Sequence, residues 1–320
     1  MGTYAIRRLI WVPVTAILVS ILVFLTVRFI PGNIIDIMEN QIAQFSSGTV
    51  TPRLALEHSL GLDVPFYIQY ARWIGNIVLH GSLGTSLVNN SDITQRVIDA
   101  LPVTLELSIL SIIVGVVISI PIGVYSALRQ DTITDYIGRS IAIVLISVPS
   151  FWIGVMITIY PSIWWHWSPP LQLIPFIKDP LGNLGMFIIP SIVLGTAFAG
   201  TTMRMTRAMM LEVLRQDYIR TAWAKGLTER VIVIRHALKN SLIPVVTIIG
   251  MQIPFLISGA VIIERIFVLP GIGTLILGAL SQRDYPIVEG VSLIVSTFVI
   301  FINLLVDLTY GLLDPRIHYQ

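Results

Sequence analysis

Histidine is the side chain whose ordinary pKa best suits proton transfer near neutral pH, and this sequence has five, at 58, 80, 166, 236 and 318. They are too far apart for a local metal motif, and no H-E-x-x-H occurs. There is no cysteine to serve as nucleophile, zinc ligand or disulfide partner. No G-x-S-x-G marks a hydrolase, and no G-x-x-x-x-G-K-[ST] is present to cradle nucleotide phosphates. If ATP drives this protein, another chain binds it. One region does concentrate charge. Between positions 204 and 239 lie eight cations (Arg204, Arg207, Arg215, Arg220, Lys225, Arg230, Arg235, Lys239) against three acids (Glu212, Asp217, Glu229). The chemistry on offer there is recognition of a partner.

That island sits in an apolar chain. Of its 320 residues 55% are hydrophobic and 12% charged, and the mean hydropathy is +0.84, whereas soluble domains are about a quarter charged. The bilayer is the expected solvent. A dispersed net charge of +2 gives no basic surface for phosphates and excludes nucleic acid as a partner. The absence of cysteine leaves the redox compartment open.

Six stretches are long and apolar enough to span about 30 Å of hydrocarbon: 9–30, 105–128, 137–164 with a kink at Pro149, 184–205 with Pro190 inside, 241–263, and 287–313. The fold expected is all-α and polytopic. Arg7 and Arg8 before the first run resemble a secretory signal, yet the run is too long and no small-residue cleavage site follows, which predicts an uncleaved anchor. Three parts result: 1–30 with the first span, an external region 31–100, and a core 101–320 carrying a cytoplasmic loop at 208–240. Placing both termini inside puts 13 of the 20 Lys and Arg residues on inner segments, as the positive-inside rule requires. The middles of the spans hold no Asp or Glu, which weighs against an ion-coupled carrier. Arg28, Glu106 and Asp307 lie near span ends, where structural roles are expected.

Within the island, "DYIRTAWAKGL" (217–227) predicts a short helix with Tyr218 and Ala222 on one face and Ile219 and Trp223 on another, ended by Gly226. Thr228 and Glu229 then predict the start of a second helix running into the fifth span. Small residues at such a bend let another protein's backbone approach closely.

"RTAWAKGLTERVIVIRHALKNSLIP" (220–244) resembles the EAA loop of bacterial ABC importer permeases, with Arg220 and Thr221 in place of the loop's glutamate and first alanine, as in the peptide-importer branch. "LGLDVPFYIQYARWIGNIVLHGSLGTSL" (60–87), "SVPSFWIGV" (147–155) and "FVLPGIGTL" (267–275) are similar to the dipeptide and oligopeptide permeases. The resemblance implies a type I importer permease in a bacterial or archaeal cytoplasmic membrane, a transport subunit and not an enzyme. It implies a second homologous permease, two ATP-binding subunits holding ATP and Mg, an external substrate-binding protein and a short peptide as substrate. This chain itself would hold no cofactor or metal. The loop would couple to the ATPase through Tyr218, Arg220, Thr221, Ala222, Lys225 and Gly226. Glu264 and Arg265, beside a Pro270-Gly271 pair read as a type II turn, are candidates for contact with solute or binding protein. An ATP-independent channel or carrier, or the same importer carrying an oligosaccharide or nickel chelate, are the competing readings.

Topology is testable because the native chain lacks cysteine. A cysteine at Ser46 or Gly182 should react with an impermeant thiol reagent applied outside intact cells, and one at Thr228 only after the cells are opened. External labelling at Thr228 would overturn the orientation.

Overall fold

The computed structural model describes residues 2–29, 63–170 and 172–313. Residues 31–62 of the expected external region, the labelling position Ser46 and residues 314–320 fall outside these. The described residues form ten helices: α1 (Gly2–Arg28), α2 (Phe66–His80), α3 (Ile93–Leu128), α4 (Ile133–Ser147), α5 (Ser150–Trp165), α6 (Pro180–Leu214), α7 (Asp217–Ala224), α8 (Glu229–Ile266), α9 (Ile272–Gln282) and α10 (Tyr285–Leu313). Among these residues the only strand-like pairing is an isolated bridge between Thr85 and Asp92. Five helices, α1, α3, α6, α8 and α10, are long and apolar enough to cross a membrane, and α4 with α5 makes a sixth if counted as one broken span.

The break falls at Pro149, where a kink was expected. The two helices meet at 88°. The proline ring disfavours helical geometry at the residue before it, so Val148 is extended (φ −89°, ψ 120°) and Pro149 starts α5 anew. The fourth span also outgrows its expected bounds: α6 begins at Pro180, where the Asp179 carboxylate accepts from the Gly182 N–H at 3.0 Å, an arrangement that suits a helix start. A side chain at Gly182 would collide with that carboxylate, so exposed Lys178 is the better labelling position on this loop.

Two compact units divide the chain. The first comprises Met1–Leu9, Ala100–Thr274 and Phe301–Gln320. Its core joins Val103 and Leu107 of α3, Phe187, Leu194 and Phe198 of α6, and Leu256, Ile263 and Phe267 at α8. Lipid tails are as apolar as leucine, so such helices are held by close packing and internal hydrogen bonds more than by exclusion from water. Glycines supply the closeness. A Cβ at Gly195 would lie 2.7 Å from the Ser111 carbonyl oxygen, one at Gly123 2.7 Å from that of Met203, and one at Gly200 2.7 Å from that of Ala142. Thus α6 lies backbone to backbone against α3 at two levels and against α4 at a third. The side chain of Arg8 pairs with Asp307 of α10 at 2.9 Å.

The second unit comprises Ile10–Asp99 and Leu275–Ile300. Here Arg28 bonds Glu289, which is 5% exposed, donates to Gln69 Oε1 at 3.2 Å, and lies 3.7 Å above the Phe24 ring centroid. A paired cation and a buried carboxylate thus satisfy each other. Ser86 donates its hydroxyl to Asp284, and the Leu87 N–H donates to the same carboxylate at 3.2 Å. Phe24 packs against Tyr70 and Trp73.

Gly195→Leu or Gly200→Leu should force α6 off its neighbours, at the roughly 1–3 kcal/mol or more typical of overpacking. Gly185→Ala, whose Cβ would meet nothing within 4 Å, should be neutral. Thermal unfolding of the detergent-solubilised protein checks both. A native melting point for Gly195→Leu would show that the helices do not touch there.

Candidate coupling site

Gln216, extended at φ −72° and ψ 148°, separates α6 from α7. Asp217 places an acid at the positive end of the new helix, and the Thr221 hydroxyl bonds back to the Asp217 carbonyl at 3.0 Å. Gly226 closes α7 with φ 76°, a left-handed value that costs glycine little. Its N–H reaches the Trp223 carbonyl at 2.9 Å, and the Leu227 N–H reaches that of Ala222 at 3.4 Å, the pair of bonds of a Schellman cap. Eight residues could not hold a helix alone in water. Packing holds this one.

The packed face differs from the expected one. Ile219, 1% exposed, and Ala222, 7% exposed, are three apart and sink together into a cluster with Ala127, Met210, Ile232, Val233 and Ala237. The hydroxyl of Tyr218, exposed beside them, accepts from Asn240 Nδ2 at 2.8 Å. Ala222 is therefore corrected: its small side chain lets α7 lie close to its own α3, α6 and α8 residues. What faces outward is Tyr218, Arg220, Thr221, Lys225 and Gly226, together with Trp223, half exposed and not among the expected residues. Arg220 lies 3.3 Å from Asp217 on the open surface, where such a pair holds little.

The second arm departs from expectation as well. Thr228 makes no side-chain cap; its carbonyl accepts from the Val231 and Ile232 N–H groups. Residues Ile232–Leu238 form a π-helical stretch between two α-helical parts of α8. The wider coil brings Ile232, Val233 and Ala237 together onto the Met210 cluster, and such bulges frequently mark functional sites.

Glu264 is not the exposed charge its sequence position suggested. It is fully buried, accepting from the Thr104 hydroxyl at 2.6 Å and from the Gly273 and Thr274 N–H groups at 2.7 and 3.2 Å. Thr104 Oγ1 in turn accepts from the Ile272 N–H at 2.9 Å. The first turn of α9 has its unpaired donors filled. The turn is not type II either. Gly271 lacks a positive φ, the left-handed residue being Val268 at 58°; glycine is needed at 271 because the Glu264 carboxylate occupies the space of a Cβ, and at 273 because a Cβ would lie 2.3 Å from the Val261 Cα. Arg265 is exposed. A groove of about 260 Å³ between α8 and α10, lined by Val246, Ile249, Gly250, Ile253, Ile302 and Val306, offers a solute no charge.

Residues 119–319 match the family described as "Binding-protein-dependent transport system inner membrane component", and residues 1–108 match its N-terminal counterpart. The dipeptide transport system permease protein DppB of Escherichia coli (strain K12) is 38% identical over the full length of both chains. The di/tripeptide transport system permease protein DppB of Pseudomonas aeruginosa (strain UCBPP-PA14) is 37% identical, again over the full length of both. A crystal structure of an amino acid ABC transporter with histidines shares the fold, with TM-score 0.51 at 13% identity over 68% of this chain and 94% of that one. The resemblance read from residues 220–244 thus holds along the whole sequence, and the chain belongs to the family of inner-membrane components of binding-protein-dependent transport systems.

Proposed function

We propose that this chain is the transmembrane subunit of an ATP-driven importer of short peptides. It would work with a second homologous permease, two ATPase subunits that hold ATP and Mg, and an external protein that delivers the peptide. The observation that carries this reading is α7: one face is sunk into the chain's own helices, and the other offers Tyr218, Arg220, Thr221, Trp223 and Lys225. An exposed tryptophan among cations is the composition of a binding hot spot. The relatives named as dipeptide and di/tripeptide permeases support peptide as the cargo.

ATP-driven closure of the ATPases would displace α7. Because Ile219 and Ala222 are packed on Met210 and Ile232, the displacement passes to the ends of α6 and α8 and switches the membrane helices between inward and outward access. ATP can shift that equilibrium only through its differential affinity for the two arrangements. The island between α6 and α8 lies in the cytoplasm in this reading, with both termini. Arg265, beside the α9 cap, is left as the contact for solute or binding protein, and Glu264 holds the cap.

Two outcomes follow. Trp223→Ala should weaken retention of the ATPase subunits about thirtyfold, on the ~2 kcal/mol scale of a truncated interface tryptophan; affinity measured by titrating ATPase onto the solubilised permeases checks this. Ala222→Asp should instead lower the melting point of the permease alone, because an unpaired carboxylate enters its own core. The substrate is tested by uptake of labelled di- to pentapeptides into liposomes bearing the complete complex with binding protein and ATP. Brisk uptake of an oligosaccharide or nickel chelate with none of any peptide would defeat the cargo assignment and leave the architecture standing.

A further inference from the structure

One carboxylate joins three helices close to the seat of α7. Asp135, in the first turn of α4, is fully buried. It accepts both from Arg207 of α6, Nε to Oδ1 and Nη2 to Oδ2, each at 2.7 Å. It also takes the Ser126 hydroxyl of α3 and the Asp131 N–H, the latter at 3.0 Å. Two parallel bonds to a guanidinium fix orientation as well as distance. The sequence neighbours of its partners matter too. Arg207 precedes Met210 by about one turn, and Ser126 adjoins Ala127; Met210 and Ala127 are both in the cluster that seats Ile219 and Ala222. Near its other end α4 meets α6 again, where a Cβ at Gly200 would lie 2.7 Å from the Ala142 carbonyl oxygen. The helix is thus held to α6 at two levels, by a directional ion pair at one and by backbone proximity at the other, and beyond it the chain turns through 88° into α5.

We propose that Asp135 is a positioning residue for transport: its clamp on Arg207 makes α3 and α4 follow the end of α6 on which α7 is seated, so that a displacement of α7 reaches the bent α4–α5 pair. A buried ion pair is a poor device for stability alone, since matched apolar residues often do as well or better, while its geometry resists reorientation. In the clamp's absence α6 could shift under α7 while α4 lagged behind. The inference rests on the reading of α7 as the coupling helix, and its test separates the two.

The complete reconstituted complex is assayed for radiolabelled dipeptide taken up per ATP hydrolysed, with native chain, Asp135→Asn, Arg207→Lys and the swap Asp135→Arg with Arg207→Asp. Asp135→Asn should assemble with its partners and hydrolyse ATP, yet move at least tenfold less peptide per ATP. Arg207→Lys keeps the charge without the fork and should fall in between, and recovery in the swap would add support. In parallel, spin labels replace exposed Tyr136 and Arg204 in the assembled complex. The native distance should stay single and unchanged on adding ATP, and Asp135→Asn should add a second distance. Unchanged uptake per ATP in Asp135→Asn, losses of uptake that only track lost assembly in both single variants, or a spin-label distance indifferent to Asp135→Asn would each overturn the proposal. A native complex that moves no peptide and hydrolyses no ATP would instead defeat the proposed function, and the spin-label arm would still judge the clamp.

Discussion

A bilayer supplies no hydrogen-bond partner to an exposed backbone or a stray charge. The long apolar segments of the chain are helices, and at two helix starts a side chain fills the vacancy: Asp179 at the start of α6, Glu264 at the start of α9. Buried carboxylates are met by donors. Asp135 has a guanidinium, a hydroxyl and an amide; Glu264 has a hydroxyl and two amides; Glu289 has Arg28. Inside each compact unit, polar side chains act as directional ties between helices that the hydrophobic effect alone would leave free to slide.

Those ties decide how motion can travel. Packed helix ends do not deform continuously; they shift as blocks. Helix α7 is fastened by Ile219 and Ala222 on one face, and through the Tyr218 hydroxyl to Asn240 of α8. It is fixed to α6 and α8. A π-helical stretch at the root of α8 interrupts its regular ladder.

Much of this was legible in the sequence because periodicity and composition are local properties. The spans follow from runs of apolar residues, and the end of α7 from Gly226 and its need for positive φ; the start of α6 at Pro180, four residues before the expected 184, was missed. The family resemblance of 220–244 extended that reading to function. What was misplaced depends on tertiary contacts. The helical face carrying Ala222 could not be assigned, since i, i+3 and i, i+4 pairings are both apolar in "YIRTAWA" and only the Met210 cluster chooses between them. Glu264 looked like a loop charge because nothing in its neighbourhood announces that Thr104, 160 positions earlier, meets it. Asp135 reads as an ordinary first-turn acid; its partner Arg207 lies 72 positions away. The 88° angle at Pro149 was not legible because a proline marks a break without fixing its size.

The claim on which the rest turns is that α7 is fixed to its own chain and carries the ends of α6 and α8 with it. Structures of the whole complex, nucleotide-free and ATP-bound, measure this directly. Ile219 and Ala222 should keep the same contacts with Met210 and Ile232 in both states while the block as a whole moves. Sliding or swinging of α7 over Met210 between the two states, with α6 and α8 left in place, would contradict it.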